Sequence, residues 1–140
     1  MEYQELIDTI TAEVIKNLKK NIIKKTNWDS TSETNLSFGG KLKAFSNILD
    51  TKNVDVIIGE FKKGESLKKH YHKYPTEEIY YVLEGEIEVN IGGIKTTAKK
   101  GDILFIEPET IHWPINTKEA PCRILFILSP REAGPPVITE

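Results

Sequence analysis

The 140-residue chain has a single cysteine, Cys122, which excludes a disulfide within the chain, and only two arginines, Arg123 and Arg131, among 19 basic residues. Lysine supplies the remaining positive charge, which argues against a surface built for bidentate phosphate recognition. A formal net charge of −2 and a pI near 6.0 give neither nucleic acid nor a membrane a reason to bind. No apolar run approaches the ~20 residues of a membrane span, and the N-terminus lacks the basic, apolar, small-residue order of a secretory signal. The expected location is cytoplasmic. The chain also has no recognisable DNA-binding helix-turn-helix and no internal repeat. Cys122 lies at the edge of the apolar run from Arg123 to Leu128, where it reads as a small buried strand residue and not as a reactive thiol.

The chain has the length and composition of one globular domain. At 39% hydrophobic and 29% charged, it can bury a single core without staples. Leu6, Ile7, Ile10, Val14, Leu18 and Ile22 recur at steps of three and four, which predicts an amphipathic helix over roughly residues 2 to 24 within an N-terminal segment 1–26. Acidic residues at its start (Glu2, Glu5, Asp8) and lysines at its end (Lys19, Lys20, Lys24, Lys25) suit the helix dipole. Its apolar face is expected to pack on the domain or on a second subunit.

Residues 27–40 shift to Ser, Thr, Asn and Gly and read as a linker loop. From 41 to 129 the pattern becomes short strand-like runs: Leu42 to Leu49, Val54 to Phe61, Glu78 to Leu83, Ile87 to Ile91, Ile94 to Ala98, Ile103 to Ile106 and Arg123 to Leu128. Closely spaced strands without a second helical segment predict an all-β sandwich or barrel. One hairpin can be placed in register. A two-residue turn at Gly92-Gly93 sets Ile91 opposite Ile94, Val89 opposite Thr96 and Ile87 opposite Ala98, with Glu86 across from Lys99 and Asn90 from Lys95. The tail, 130–140, contains Pro130, Gly134, Pro135 and Pro136 and cannot continue a central strand; it is expected either as a disordered end or as an arm lying on a neighbour.

All three histidines, His70, His72 and His112, fall in two short stretches. Residues two apart on a strand point to one face, so His70 and His72 can present imidazoles side by side to one ion. A carboxylate after the following turn and a third imidazole from a distant strand would complete three nitrogens and one oxygen. Gly64, His70, His72, Glu78 and Gly85 form one motif, and Gly101, Asp102, Pro108, His112 and Asn116 form a second. Together they resemble the two motifs of the cupin superfamily over about residues 54 to 129.

The resemblance implies an antiparallel β-barrel of the double-stranded β-helix or jelly-roll type behind the N-terminal helix. It also implies a divalent transition metal (Fe, Mn, Ni, Zn, Co or Cu) held by His70, His72, Glu78 and His112. Counting back from Gly85 selects Glu78, whereas counting forward from His72 fits Glu77, which stays as the alternative. Where the family usually has a Pro-X-Gly turn, this chain reads Glu107-Pro108-Glu109. Asp102 is read as a turn residue and Trp113 as facing away from the metal.

Lys68 shares the parity of His70 and His72 and is expected to point inward, where it would favour an anionic ligand. Tyr80 shares the parity of Glu78 and is a candidate pocket wall or phenol donor, or a packed core aromatic. Asn116 is in phase with His112 and either bonds the interior or ends the strand. The expected function is an enzyme of dioxygenase, isomerase or lyase type acting on a small anionic or oxygen-rich molecule, with Glu78, Tyr80 and Lys68 as catalytic candidates. The alternative is a non-catalytic module that binds a sugar or another small molecule. A homodimer is expected in either case.

Overall fold

A computed structural model describes residues 2–22, 24–33, 40–132 and 134–140; the side chains of residues 17–22 are outside that description. The chain opens with the helix α1 (Tyr3–Ile22), near the span that its apolar periodicity predicts. Leu6, Ile7, Ile10 and Val14 remain exposed, Ile10 at 55%. Among the described residues, the apolar side chains from Leu6 to Val14 are therefore not covered by the domain.

Among the described residues, ten strands follow with one short helix among them. They are β1 (Lys41–Ala44), β2 (Asp55–Phe61), β3 (His70–Tyr71), β4 (Glu77–Glu84), β5 (Glu86–Ile91), β6 (Ile94–Lys99), β7 (Ile103–Ile106), β8 (His112–Ile115), β9 (Cys122–Ser129) and β10 (Val137–Ile138). They form two five-stranded sheets, ordered β1-β2-β9-β4-β7 and β10-β3-β8-β5-β6, and every named pairing is antiparallel. The fold is all-β with an N-terminal helix, a double-stranded β-helix.

Alternation builds the core. In β9, Cys122, Ile124, Phe126 and Leu128 are buried while their neighbours are not, and in β4 the inward set is Glu78, Tyr80 and Val82. Phe61, Ile87, Val89 and Ile106 complete a core in which each fully buried apolar side chain contributes about 1.5–3 kcal/mol. Glu78 thus occupies a core position of a central strand. The carboxylate goes inward because the strand's period leaves it no other face.

The β5–β6 hairpin forms in the register the sequence predicts, from Glu86↔Lys99 to Ile91↔Ile94. Gly92 and Gly93 both have positive φ, 58° and 84°, as a tight turn that matches the strand twist requires. Ile94, on the edge strand β6, is 73% exposed.

The run Leu42 to Leu49 divides where one strand was expected. β1 stops at Ala44, and Ser46–Leu49 form a one-turn helix, α2, closed by Asp50 in the left-handed conformation. The Ser46 hydroxyl accepts the Val56 amide at 2.9 Å, so the chain turns at Ser46 and does not continue the ladder. The tail also departs from both expectations. It folds onto its own barrel, where β10 pairs with β3 through Val137↔Tyr71 and Ile138↔His70.

Candidate metal centre

His70 and His112 are direct cross-strand partners on β3 and β8. Opposed residues in an antiparallel pair bring their side chains within contact, and here the ring centroids are 4.4 Å apart. His72 follows the end of β3, with its ring 5.1 Å from His70 and 5.3 Å from His112. From the facing sheet, Glu78 places Oε1 2.8 Å from His112 Nε2 and 3.1 Å from His72 Nε2. All four residues are buried. Glu77, the alternative ligand, is exposed on the other side of β4, because adjacent residues of a strand face opposite ways.

Each imidazole has its Nδ1 occupied. His70 Nδ1 bonds the Lys68 carbonyl at 2.6 Å, His112 Nδ1 the Thr110 carbonyl at 2.7 Å, and His72 Nδ1 the Glu132 carboxylate at 2.6 Å. With Nδ1–H donating to such acceptors, Nε2 is the atom turned toward the donor cluster, where it meets Glu78 in the metal-free site and would lose its proton to ligate an ion, the orientation metal-bound histidines show. The donor atoms of His70, His72, Glu78 and His112 all lie within 4.8 Å of one another. Bonds of about 2.1 Å to a central ion put donors ~3 to 4.2 Å apart, so shifts of a few tenths of an ångström would seat one. The donor set fits a divalent transition metal.

Electrostatics in the metal-free site follow from burial and close contact. Burial and the neighbouring His112 hold the His70 imidazole down to about 4, which keeps it neutral and ready to ligate. Burial would lower His72 too, but its hydrogen bonds to Glu132 and Glu78 override this and raise it to about 9. Glu78 would be pushed up by burial; bonds from His112 and His72 outweigh that and hold it at about 2. The carboxylate is therefore ionised across the physiological range.

The catalytic candidates of the sequence reading separate here. Lys68 is exposed and reaches the site only through its backbone carbonyl. The strand parity that would have turned it inward fails because β3 begins at His70 and a bend at Lys69 precedes it; Leu67 is buried instead. Tyr80 is fully buried, its ring edge-on to Phe126 at 4.6 Å and 6.0 Å from His112. Its hydroxyl has no hydrogen-bond partner among the described residues, and burial together with the Glu78 charge raises its pKa well above the usual phenol value. Trp113 is half-buried with the Lys69 ammonium 4.5 Å over its ring.

Asn116 is wholly buried and fully engaged. Its amide nitrogen donates to the Phe61 and Ala120 carbonyls at 2.8 and 2.9 Å, and its oxygen accepts the Lys118 amide at 2.8 Å. It closes the loop between β8 and β9 against the end of β2 and offers nothing to the metal.

A cavity of about 430 Å³ adjoins the cluster, lined by His70, His72 and Glu78 and by the apolar side chains Leu42, Ile57, Phe126 and Leu128. Arg131 also lines it, but its guanidinium is bound to Asp55 (2.9 Å), the Asn47 side chain (2.7 Å) and the Thr51 carbonyl (2.9 Å). Sequence reasoning missed Arg131 and Glu132. Nothing in the order of residues ties a tail position to a histidine 60 residues earlier.

Residues 57–128 match the family model for the cupin domain. The chain is a cupin. It is 29% identical over 76 residues to the tetracenomycin polyketide synthase protein TcmJ of Streptomyces glaucescens, covering 54% of this chain and 50% of that protein. It is 35% identical over 65 residues to the quercetin 2,3-dioxygenase of Bacillus subtilis, covering 44% of this chain and 19% of the enzyme. This cupin thus spans about half or less of the length of these curated relatives. The crystal structure of the polyketide cyclase RemF from Streptomyces resistomycificus superposes with a TM-score of 0.71 at 17% identity, covering 84% of this chain and 86% of that one. That likeness is one of fold. No helix among the described residues is long and apolar enough to cross a membrane.

Proposed function

We propose that this cupin is a metal-dependent enzyme acting on a small, oxygen-rich and largely apolar molecule, with His70, His72, Glu78 and His112 holding a divalent transition ion. The observation that carries the reading is the cavity, whose wall joins three of the four donors to a set of apolar side chains. Small-molecule sites have this composition, with apolar walls and a few convergent polar groups. Bound there, the ion would supply Lewis acidity, or an electron route to dioxygen if it is redox-active.

The chain's own residues contribute the rest. Leu42, Ile57, Phe126 and Leu128 give the cavity an apolar wall beside the donors. Of the anionic and oxygen-rich alternatives, the second is favoured, because Lys68 is exposed and Arg131 is spent on Asp55, Asn47 and Thr51. Glu78 lines the cavity, and for it to take a proton from a bound molecule it would have to leave the ion with its pKa raised from about 2. Tyr80 stays a neutral phenol and backs Phe126, shaping the wall from behind. Relatives that carry the names of a quercetin dioxygenase and a polyketide synthase protein support phenolic compounds as the first class to try. Dioxygenase, isomerase and lyase chemistries all fit such a site. The exposed apolar face of α1 supports a homodimer in solution, and a monomeric mass by light scattering at micromolar concentration would remove that part.

The test is elemental analysis of protein purified without an affinity tag, followed by a turnover screen of metal-loaded protein against flavonols, other polyphenols, diketones and oxo-acids. Near-stoichiometric metal and product from a phenolic compound are expected. Failure to take up any transition ion would sink the metal reading. Saturable binding without product would assign the non-catalytic module instead.

A further inference from the structure

The three histidines are braced in two different ways. The acceptors for His70 and His112 Nδ1 are backbone carbonyls two residues upstream, Lys68 and Thr110, so the local chain path that makes the ligand also orients it. His72 has no such local brace. It stands one residue beyond β3, and its Nδ1 partner is the carboxylate of Glu132, 2.6 Å away on the C-terminal tail. The Glu132 side chain is only 12% exposed, so this is a shielded, charge-assisted contact.

The tail that carries Glu132 is fastened on both sides of it. Before it, the Thr76 hydroxyl donates to the Pro130 carbonyl at 2.9 Å, and Arg131 is held by Asp55, Asn47 and Thr51. After it, β10 pairs with β3 so that Ile138 lies opposite His70, and the Thr139 amide donates to the Lys69 carbonyl at 2.9 Å. The segment between, Gly134 to Pro136, forms part of the cavity wall. One stretch of chain thus pairs with the strand of one ligand, bonds the ring of a second and shapes the cavity beside both.

Resting on the metal reading above, we propose that Glu132 is a positioning residue for the metal centre, orienting His72 through Nδ1 and thereby coupling docking of the C-terminal tail to metal binding. A carboxylate on Nδ1 fixes the ring with Nε2 toward the donor cluster and increases its basicity as a ligand. By linkage, what the docked tail does for metal affinity the metal does in return for docking. Residues 130–140 are then a functional part of the centre, although no tail residue touches the metal.

The experiment compares wild type, E132A and E132Q, each checked for folding by thermal melting without metal. Zn²⁺ affinity is measured by competition with a chromophoric chelator, and the Co²⁺ absorption spectrum reports ligand geometry. E132A should bind Zn²⁺ about 10- to 100-fold more weakly, the usual cost of losing a residue that orients a histidine ligand. E132Q keeps an oxygen that can accept the Nδ1 proton and should recover much of that loss, with a Co²⁺ spectrum nearer wild type. Hydrogen exchange at the backbone amides of residues 137–140 should slow when Zn²⁺ is added to wild type and respond much less in E132A. Wild-type affinity in E132A, an E132Q no better than E132A, or a tail indifferent to Zn²⁺ would each overturn the proposal. Absence of Zn²⁺ binding by wild type itself would overturn the metal reading and this proposal together, which separates the two failures.

Discussion

Replacing Asn116 with Ala tests whether this residue of the second histidine motif is a structural clasp. Its fully buried side chain makes three hydrogen bonds, two donated to the Phe61 and Ala120 carbonyls and one accepted from the Lys118 amide. The alanine variant loses all three and leaves the buried Phe61 carbonyl without that donor. At about 1 kcal/mol per bond the loss is about 3 kcal/mol. With an unfolding entropy of about 0.3 kcal/mol/K for a chain of this length, the melting temperature should fall by ~10 °C. N116D should be at least as damaging, because it sets a carboxylate oxygen against two carbonyl oxygens. The assay is urea denaturation of metal-free protein with Tm as a second readout, alongside Zn²⁺ affinity of the folded variant. A loss below about 1 kcal/mol, or a large drop in Zn²⁺ affinity with stability intact, would refute the assignment.

Other perturbations separate ligands from scaffold. E78A or H112A should weaken Zn²⁺ binding by at least about 100-fold in a competition titration, more than removal of a residue that only orients a ligand; E77A, altering an exposed side chain, should leave it unchanged. Glu109 has a positive φ of 63° at the turn where glycine is free of strain, so E109G should stabilise the protein by up to about 1 kcal/mol in urea denaturation. Y80F removes a buried hydroxyl that has no partner among the described residues and should be neutral or stabilising by up to about 1 kcal/mol; a loss larger than that would reveal a partner for the phenol. Cys122 is fully buried, and burial raises its thiol from 9.0 to about 11. The folded state then holds its proton where the unfolded state has lost it, so the Cys122 contribution to stability is constant below pH 9 and falls as pH rises from 9 toward 11. At pH 8 native Cys122 should resist a thiol reagent that labels the urea-unfolded chain at once.

The strands β2, β4, β5, β6, β7 and β9 and the hairpin register could be read from residue order because period-2 alternation and a Gly-Gly turn are local signals. The helix was legible for the same reason, since a 3.6-residue period needs no tertiary information. Spacing also brought His70, His72 and His112 together as one site, and the count back from Gly85 pointed to Glu78. Parity then failed for Lys68. It assumes an unbroken strand, and the chain bends at Lys69 before β3 begins.

By itself, then, the order of residues determined an N-terminal amphipathic helix and an all-β sandwich or barrel, because both are written in short-range periodicity, and the resemblance of its two motifs to the cupin pattern implied the barrel and a metal-type donor set. Only the tertiary structure decided what depends on contacts between distant segments. It buries Glu78 and exposes Glu77, turns Asn116 into a loop clasp, occupies Arg131 with Asp55, and sets Glu132 behind His72. Residues 60 positions apart share no local pattern, so only the closed barrel, with its tail folded back on β3, could bring them into register.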